Sequence, residues 1–312
     1  MAPNSLPPPR SDQTYVVVHP IHGGQITLPE RYFLFPSDPI ARVTVPSLSF
    51  LIAHPGAEQP RYLLFDLGLR NDREHYSPAQ QAHLASRAPY HLGPGVAQHL
   101  RDGGLDPGAI DTVILSHVHY DHHGDPGDFP GSQFIVGAGS LSLLRRGGEG
   151  MGASHQAFDG DLFRGVETRG GRVHELPDPA GGAPWAPLGP LSAALDILGD
   201  GSVYVVDAPG HLPGHLNLLC RLAPARWIYL GGDSCHDIRL LRGERGIATW
   251  EDERGACHCI HLDRGRAEDT LQKIRLLQEA SAREGVEVEV VMAHDAQWWE
   301  KNRDRASAVS KT

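Results

Sequence analysis

The sequence predicts an α+β chain in which sheets pack face to face and helices lie outside them. Three observations predict it. Strand-like apolar runs outnumber helical ones along the 312 residues. Most metal-type side chains fall just after the ends of those runs. One strongly amphipathic helix, at 266–284, precedes a last strand.

Taken in order, residues 1–12 are Pro-rich and polar and are expected to be a disordered tail, with no signal-peptide core. Residues 15–28 read as a strand, a Gly turn and a second strand. The loop at 29–40 carries Tyr32, Phe33 and Phe35, either as core or as one wall of a pocket. Residues 43–54 and 61–68 read as paired strands across a polar turn. The second ends in Asp66-Leu67-Gly68, where the acid could cap a helix or support a metal ligand from behind. Residues 78–104 read as helical pieces closed by Gly103 and Gly104.

The apolar run 111–116 is a buried strand that feeds Ser-His-Val-His-Tyr-Asp-His-His-Gly at 116–124. Residues two apart on an extended end point the same way, so His117 and His119 converge. A tight turn then brings Asp121 and His122 to a second point nearby, so one strand end can serve two ions. Strands follow at 132–137, 202–207, 216–222, 226–233 and 286–292, with a short helix at 139–146. The Gly- and Pro-rich stretch 147–192 reads as a surface excursion, although Trp185 and the segment 155–158 could fold over a site. Residues 239–265 are charged and irregular. Helix 266–284 carries an apolar stripe of Ala267, Leu271, Ile274, Leu277 and Ala280.

Bulk properties narrow the function. No apolar run approaches the ~20 residues that span a membrane. The net charge of −10 argues against nucleic acid as a partner. Four cysteines without a leader point to a reduced, cytoplasmic setting.

His215, Asp233 and His294 stand at three further strand ends. With His117, His119, Asp121 and His122 they make five His and two Asp, enough for two ions that share one carboxylate and one water. His123 and His211 fall off the pattern and are expected to be supporting or solvent-facing. Cys235 is read as a small buried hydrophobe. Cys257 and Cys259 are too close together for an ordinary zinc knuckle.

This set resembles the metallo-β-lactamase superfamily. Residues 117–122 match its His-x-His-x-Asp-His signature. Residues 209–215 resemble its Pro-Gly-His-x-x-Gly-His segment, whose last His is expected to be the ligand. Gly231-Gly232-Asp233 resembles the segment with a bridging aspartate, Ala293-His294-Asp295 the last ligand site, and Asp66-Leu67-Gly68 the early Asp-x-Gly. The matches run from about residue 43 to 295. The resemblance implies an αββα sandwich and two zinc ions. His117, His119 and His215 would hold the first ion. Asp121, His122 and His294 would hold the second, and Asp233 would bridge them.

Two metals sharing a water supply a hydroxide that attacks a carbonyl. Asp121 would pass the proton to the leaving group. The nearest likeness within the superfamily is to quorum-quenching N-acyl homoserine lactonases and to fungal hydrolases of small lactones and lactams. Those lactonases carry a Tyr three residues after the bridging acid, where this chain has His236, a residue that can still donate to an oxyanion. Longer spacings imply insertions at 147–192 and 239–265 in one domain spanning 13–306. The expected substrate is therefore a small cyclic ester or cyclic amide. A thioesterase of the glyoxalase II or polyketide-releasing kind and a non-catalytic metal-binding protein are the alternatives. The absence of a basic C-terminal cluster counts against a glutathione thioester. Val118 and Tyr120 between the motif histidines count against a di-iron centre.

Overall fold

A computed structural model describes residues 5–56, 58–149, 151 and 157–306. Two six-stranded sheets form the frame. The first runs in the order Val17–Pro29, Arg42–His54, Arg61–Phe65, Thr112–Ile114, Gln133–Val136, Arg172–Glu175. Its first three strands are antiparallel neighbours, and from Arg61–Phe65 onward the pairing is parallel. The second runs Glu287–Val291, Arg226–Leu230, Leu216–Ala223, Val203–Asp207, Leu191–Asp196, Ala186–Leu188. Only its Glu287–Val291 pairing is parallel.

Alternation along the strands sorts the core into layers. Leu64, Val113 and Phe134 are partners in register and face outward, beneath Val96, Leu100 and Leu143 of the helices Val96–Asp102 and Ser140–Arg146. Phe65, Ile114 and Ile135, one position on, face inward against Leu218, Ile228 and Leu230 of the second sheet. On the far side, Leu219 and Tyr229 pack against Ala267, Leu271, Ile274 and Leu277 of the helix Arg264–Arg283. The order is helix, sheet, sheet, helix, as the resemblance implies. The Asp263 side chain caps the long helix by accepting from the Arg266 N–H.

Several expectations change in the folded chain. Residues 15–28 do not turn back on themselves: Val17–Pro29 is one strand with a register shift between His22 and Gln25. The stretch 147–192 is partly frame, because Arg172–Glu175 closes the edge of the first sheet and Ala186–Leu188 the edge of the second. Trp185 is buried between the sheets and donates to Pro177 O at 2.8 Å, so it does not cover a site. Residues 239–265 hold a hairpin, Thr249–Glu251 with Cys257–Cys259, and Gly246–Ile247 pairs with Leu34–Phe35. In the expected N-terminal tail, Leu6 is buried in the core, Pro7 O accepts from Arg221, and Arg10 pairs with Asp196. Residues 1–4, 155–156 and 307–312 lie outside the described residues. Among those described, no helix is long and apolar enough to cross a membrane.

Candidate metal centre

Four chain segments meet at one edge of the sandwich. The motif loop follows Thr112–Ile114 of the first sheet. His211, Asp233 and His294 follow Val203–Asp207, Arg226–Leu230 and Glu287–Val291 of the second. Backbone hydrogen bonds stitch them together: Leu216 N to Ser116 O, Ala293 N to Gly232 O, and Leu67 N to His122 O.

Two glycines make the approach possible. Gly232 has a positive φ of 47°, and a Cβ there would stand 2.9 Å from both His215 Nε2 and Ser116 Cβ. Gly210, with φ 132°, lies so close to the long helix that a Cβ would meet Ala267 N at 2.3 Å. That contact, with Asp263 N donating to Gly210 O and Leu262 N to His211 O, fixes the loop that presents His211.

Asp233 is the hinge of the geometry. Its Oδ2 faces His211 Nε2 at 3.4 Å and His117 Nε2 at 3.7 Å. His119 Nδ1 joins them, 2.9 Å from His117 Nε2 and 3.1 Å from His211 Nε2. Its Oδ1 faces His122 Nε2 at 3.2 Å and His294 Nε2 at 3.3 Å. Asp121 closes this second group, with Oδ2 at 3.6 Å from His294 Nε2 and Oδ1 at 4.0 Å from His122 Nε2. Donors ~2.0–2.1 Å from a tetrahedral ion stand roughly 3.3 Å apart, so both groups have the spacing of an ion's ligands. His122 Nε2, His294 Nε2 and Asp233 Oδ1 are buried and make no properly aligned hydrogen bond within the protein. Buried polar atoms without partners are rare unless something else is bound there. The residues present therefore fit divalent metal.

The rings are aimed from behind. Asp66 is buried with a positive φ of 60°, a strained conformation for a residue with a side chain. Its carboxylate accepts from Ser116 N and Ser116 Oγ, both at 2.7 Å, and from His122 Nδ1 at 2.9 Å. His294 Nδ1 donates to Pro46 O at 2.7 Å. In each case the remaining Nε2 is left facing Asp233.

Electrostatics separates the rings. Burial disfavours charge on His122, but Asp233, Asp66 and Asp121 outweigh it and push its pKa well up. Burial also works against the Asp233 carboxylate, and His122, His236 and His294 overcome it, holding its pKa well down. Burial, aided by neighbouring imidazoles, lowers His117 and His211 well below the ordinary range. They are held in the neutral form that can coordinate a metal.

His215 is not part of either group. Its Nδ1 donates to Ala208 O at 2.9 Å, and its Nε2 accepts the Asp233 N–H at 3.0 Å. Both nitrogens are thus taken by backbone, and His211 stands in the position expected of His215. Within the Pro-Gly-His-Leu-Pro-Gly-His segment, His211 rather than His215 lies beside His117, His119 and Asp233. The other six expected donors are brought together, as is His236, whose Nε2 lies 3.0 Å from Asp233 Oδ2. His123 is buried and points away, accepting from Gln80 Nε2 and donating to Gly124 O. Cys235 is buried and donates to Asp237 O.

A pocket open to solvent lies over the donors. Phe33, Leu28 and Ile260 form its apolar side and His83, Arg87 and Tyr120 its polar side. Phe33 packs on His236 with ring centres 4.7 Å apart, and Phe158 stacks on His119 at 5.4 Å. Sequence reading passed over His83 and Arg87, which reach the pocket from the helix Pro78–Ala85 and the turn after it. A larger groove of about 470 Å³, lined by Arg242, Arg275 and Trp298, contains none of the donors.

No family model matches the chain. It is 32% identical over 181 residues to Gamma-lactamase MBL2 of Gibberella moniliformis, covering 56% of this chain and 70% of that protein. It is 30% identical over 246 residues to Cytochrome P450 monooxygenase mpaDE of Penicillium roqueforti, covering 76% of this chain. The chain spans only 27–28% of the length of the first curated relatives it matches. In fold it follows B. thuringiensis AiiA with N-decanoyl-L-homoserine bound at its active site. The TM-score is 0.65 over 93% of this chain and 96% of that one, at 14% identity. At that identity the likeness is one of fold.

Proposed function

The chain belongs to the metallo-β-lactamase superfamily, and from that premise we propose that it is a dinuclear zinc hydrolase opening a small cyclic ester or cyclic amide. One observation carries the reading: the two oxygens of Asp233 face two separate donor groups, one per ion. The first ion is assigned to His117, His119 and His211, the second to Asp121, His122 and His294, with Asp233 between them.

Two ions held there would lower the pKa of a water toward neutrality and polarise a carbonyl. The chain's residues direct the rest. Asp121 takes the proton and delivers it to the leaving oxygen or nitrogen. His236 donates to the negative charge that develops on the carbonyl oxygen. Phe33, Leu28 and Ile260 hold an apolar ring and exclude bulk water. Four free cysteines support a reducing, cytoplasmic setting.

The test is metal analysis of protein purified without chelator, together with pH-stat assays on homoserine lactones, γ-lactones, small lactams and thioesters. Two zinc ions per chain and turnover of a lactone or lactam are expected. One ion or none refutes the dinuclear centre, and turnover of thioesters alone refutes the cyclic substrate.

A further inference from the structure

We infer that Arg87 makes this enzyme selective for cyclic substrates that carry a carboxylate, a proposal that rests on the hydrolase reading above.

Arg87 lies just beyond the helix Pro78–Ala85, lines the metal pocket and is only 8% exposed. A buried guanidinium is costly unless it is paired. Of the two other buried arginines among the described residues, one has an acid beside it and the other is held by a carbonyl and a ring. Arg70 pairs with Asp159 and Asp125 and donates to Gly124 O. Arg221 donates to Pro7 O and lies 4.0 Å over the Trp227 ring. None of the ion pairs formed by arginines among the described residues includes Arg87.

Its neighbours supply no countercharge. The guanidinium hydrogen-bonds the Tyr120 phenol, a neutral partner that lines the same pocket. His83, edge-on to Tyr120 at 5.0 Å, is lowered to about 4, first by burial and then by Arg87 itself, so it is neutral. The two acids lining the pocket, Asp121 and Asp233, belong to the donor groups.

The pocket therefore has three distinct parts: a donor floor, an apolar wall of Ile26, Leu28, Phe33 and Ile260, and one fixed positive charge. A guanidinium presents a planar fork that matches a carboxylate with two parallel hydrogen bonds. A substrate that fills all three parts has its scissile carbonyl over the floor, its ring against the wall and a carboxylate on Arg87.

The experiment compares γ-valerolactone with 5-oxotetrahydrofuran-2-carboxylate, two γ-lactones that differ at the substituent, in the zinc-loaded enzyme. The wild type is expected to favour the carboxylate in kcat/KM. Arg87→Met should cut that preference by about tenfold or more, chiefly through KM, the loss typical of a charged hydrogen-bonded contact. A wild type without the preference, or an Arg87→Met ratio within twofold of the wild type, overturns the proposal. Calorimetric titration with 2-hydroxyglutarate, the ring-opened product, separates this proposal from the hydrolase reading. Failure to open either lactone counts against hydrolysis. Tenfold weaker product binding in Arg87→Met still supports the carboxylate site, and equal binding refutes it. If Arg87→Met fails to fold, Arg87→Lys carries the same comparisons: it keeps the charge but not the fork, so an unchanged ratio and unchanged product binding refute the proposal.

Discussion

His211 and His215 stand four residues apart in one loop and give their rings to different partners. His211 Nε2 faces His119 and Asp233, whereas His215 is closed between Ala208 O and the Asp233 N–H. The two alanine variants should therefore part company. His211→Ala should purify with one ion fewer and lose turnover. His215→Ala should keep both donor groups but lose about 1–3 kcal/mol of stability, because it leaves a buried N–H without an acceptor. Metal stoichiometry and urea unfolding distinguish the two, and one missing ion in His215→Ala would reverse the assignment.

Asp66 acts on the centre through His122 Nδ1. Asp66→Asn should weaken metal binding about 10- to 100-fold with the fold intact. Competition with a chelator of known affinity measures this. Unaltered affinity would mean that the strained acid at φ 60° serves only Ser116.

His236 Nε2 lies 3.0 Å from Asp233 Oδ2. His236→Phe should lower kcat about a hundredfold while both ions remain, the usual scale for one lost oxyanion donor. If an ion leaves with the side chain, His236 is a ligand; if kcat holds, it is neither.

Burial lowers the pKa of His123 to about 3, with Arg70 adding to the effect. The unfolded chain then binds the extra proton below pH 6.5, so His123 contributes stability above that pH that is lost as pH falls toward 3. His83, lowered to about 4, acts in the same sense. Chelator-treated protein should lose stability between pH 6.5 and 4.5. His123→Gln should flatten that slope by about 1.4 kcal/mol per pH unit. Denaturant melts across the range give the slope, and parallel curves for wild type and variant would exclude the linkage.

The motif at 117–122 was legible because its four donors are local and the strand before it sets their directions. Asp233 and His294 were legible as polar residues at the ends of apolar runs. The different surroundings of His211 and His215 were not, since they depend on an N–H contributed from Asp233, on another strand. Arg87 was invisible for a similar reason: only the packed fold brings the turn after Pro78–Ala85 beside Tyr120. The frame strands within 147–192 were hidden by their brevity. Arg172–Glu175 alternates no apolar face of its own and is a strand because Gln133–Val136 offers it a partner.

The donors come from both sheets, the motif loop from one and His211, Asp233 and His294 from the other. Ions bound there would rivet the two halves of the sandwich, adding their binding free energy to the folded state alone. Metal supply and protein lifetime then become one quantity. In a metal-starved cell an unriveted chain would open more often, proteases would find it sooner, and the pool of enzyme would shrink along with its metal supply.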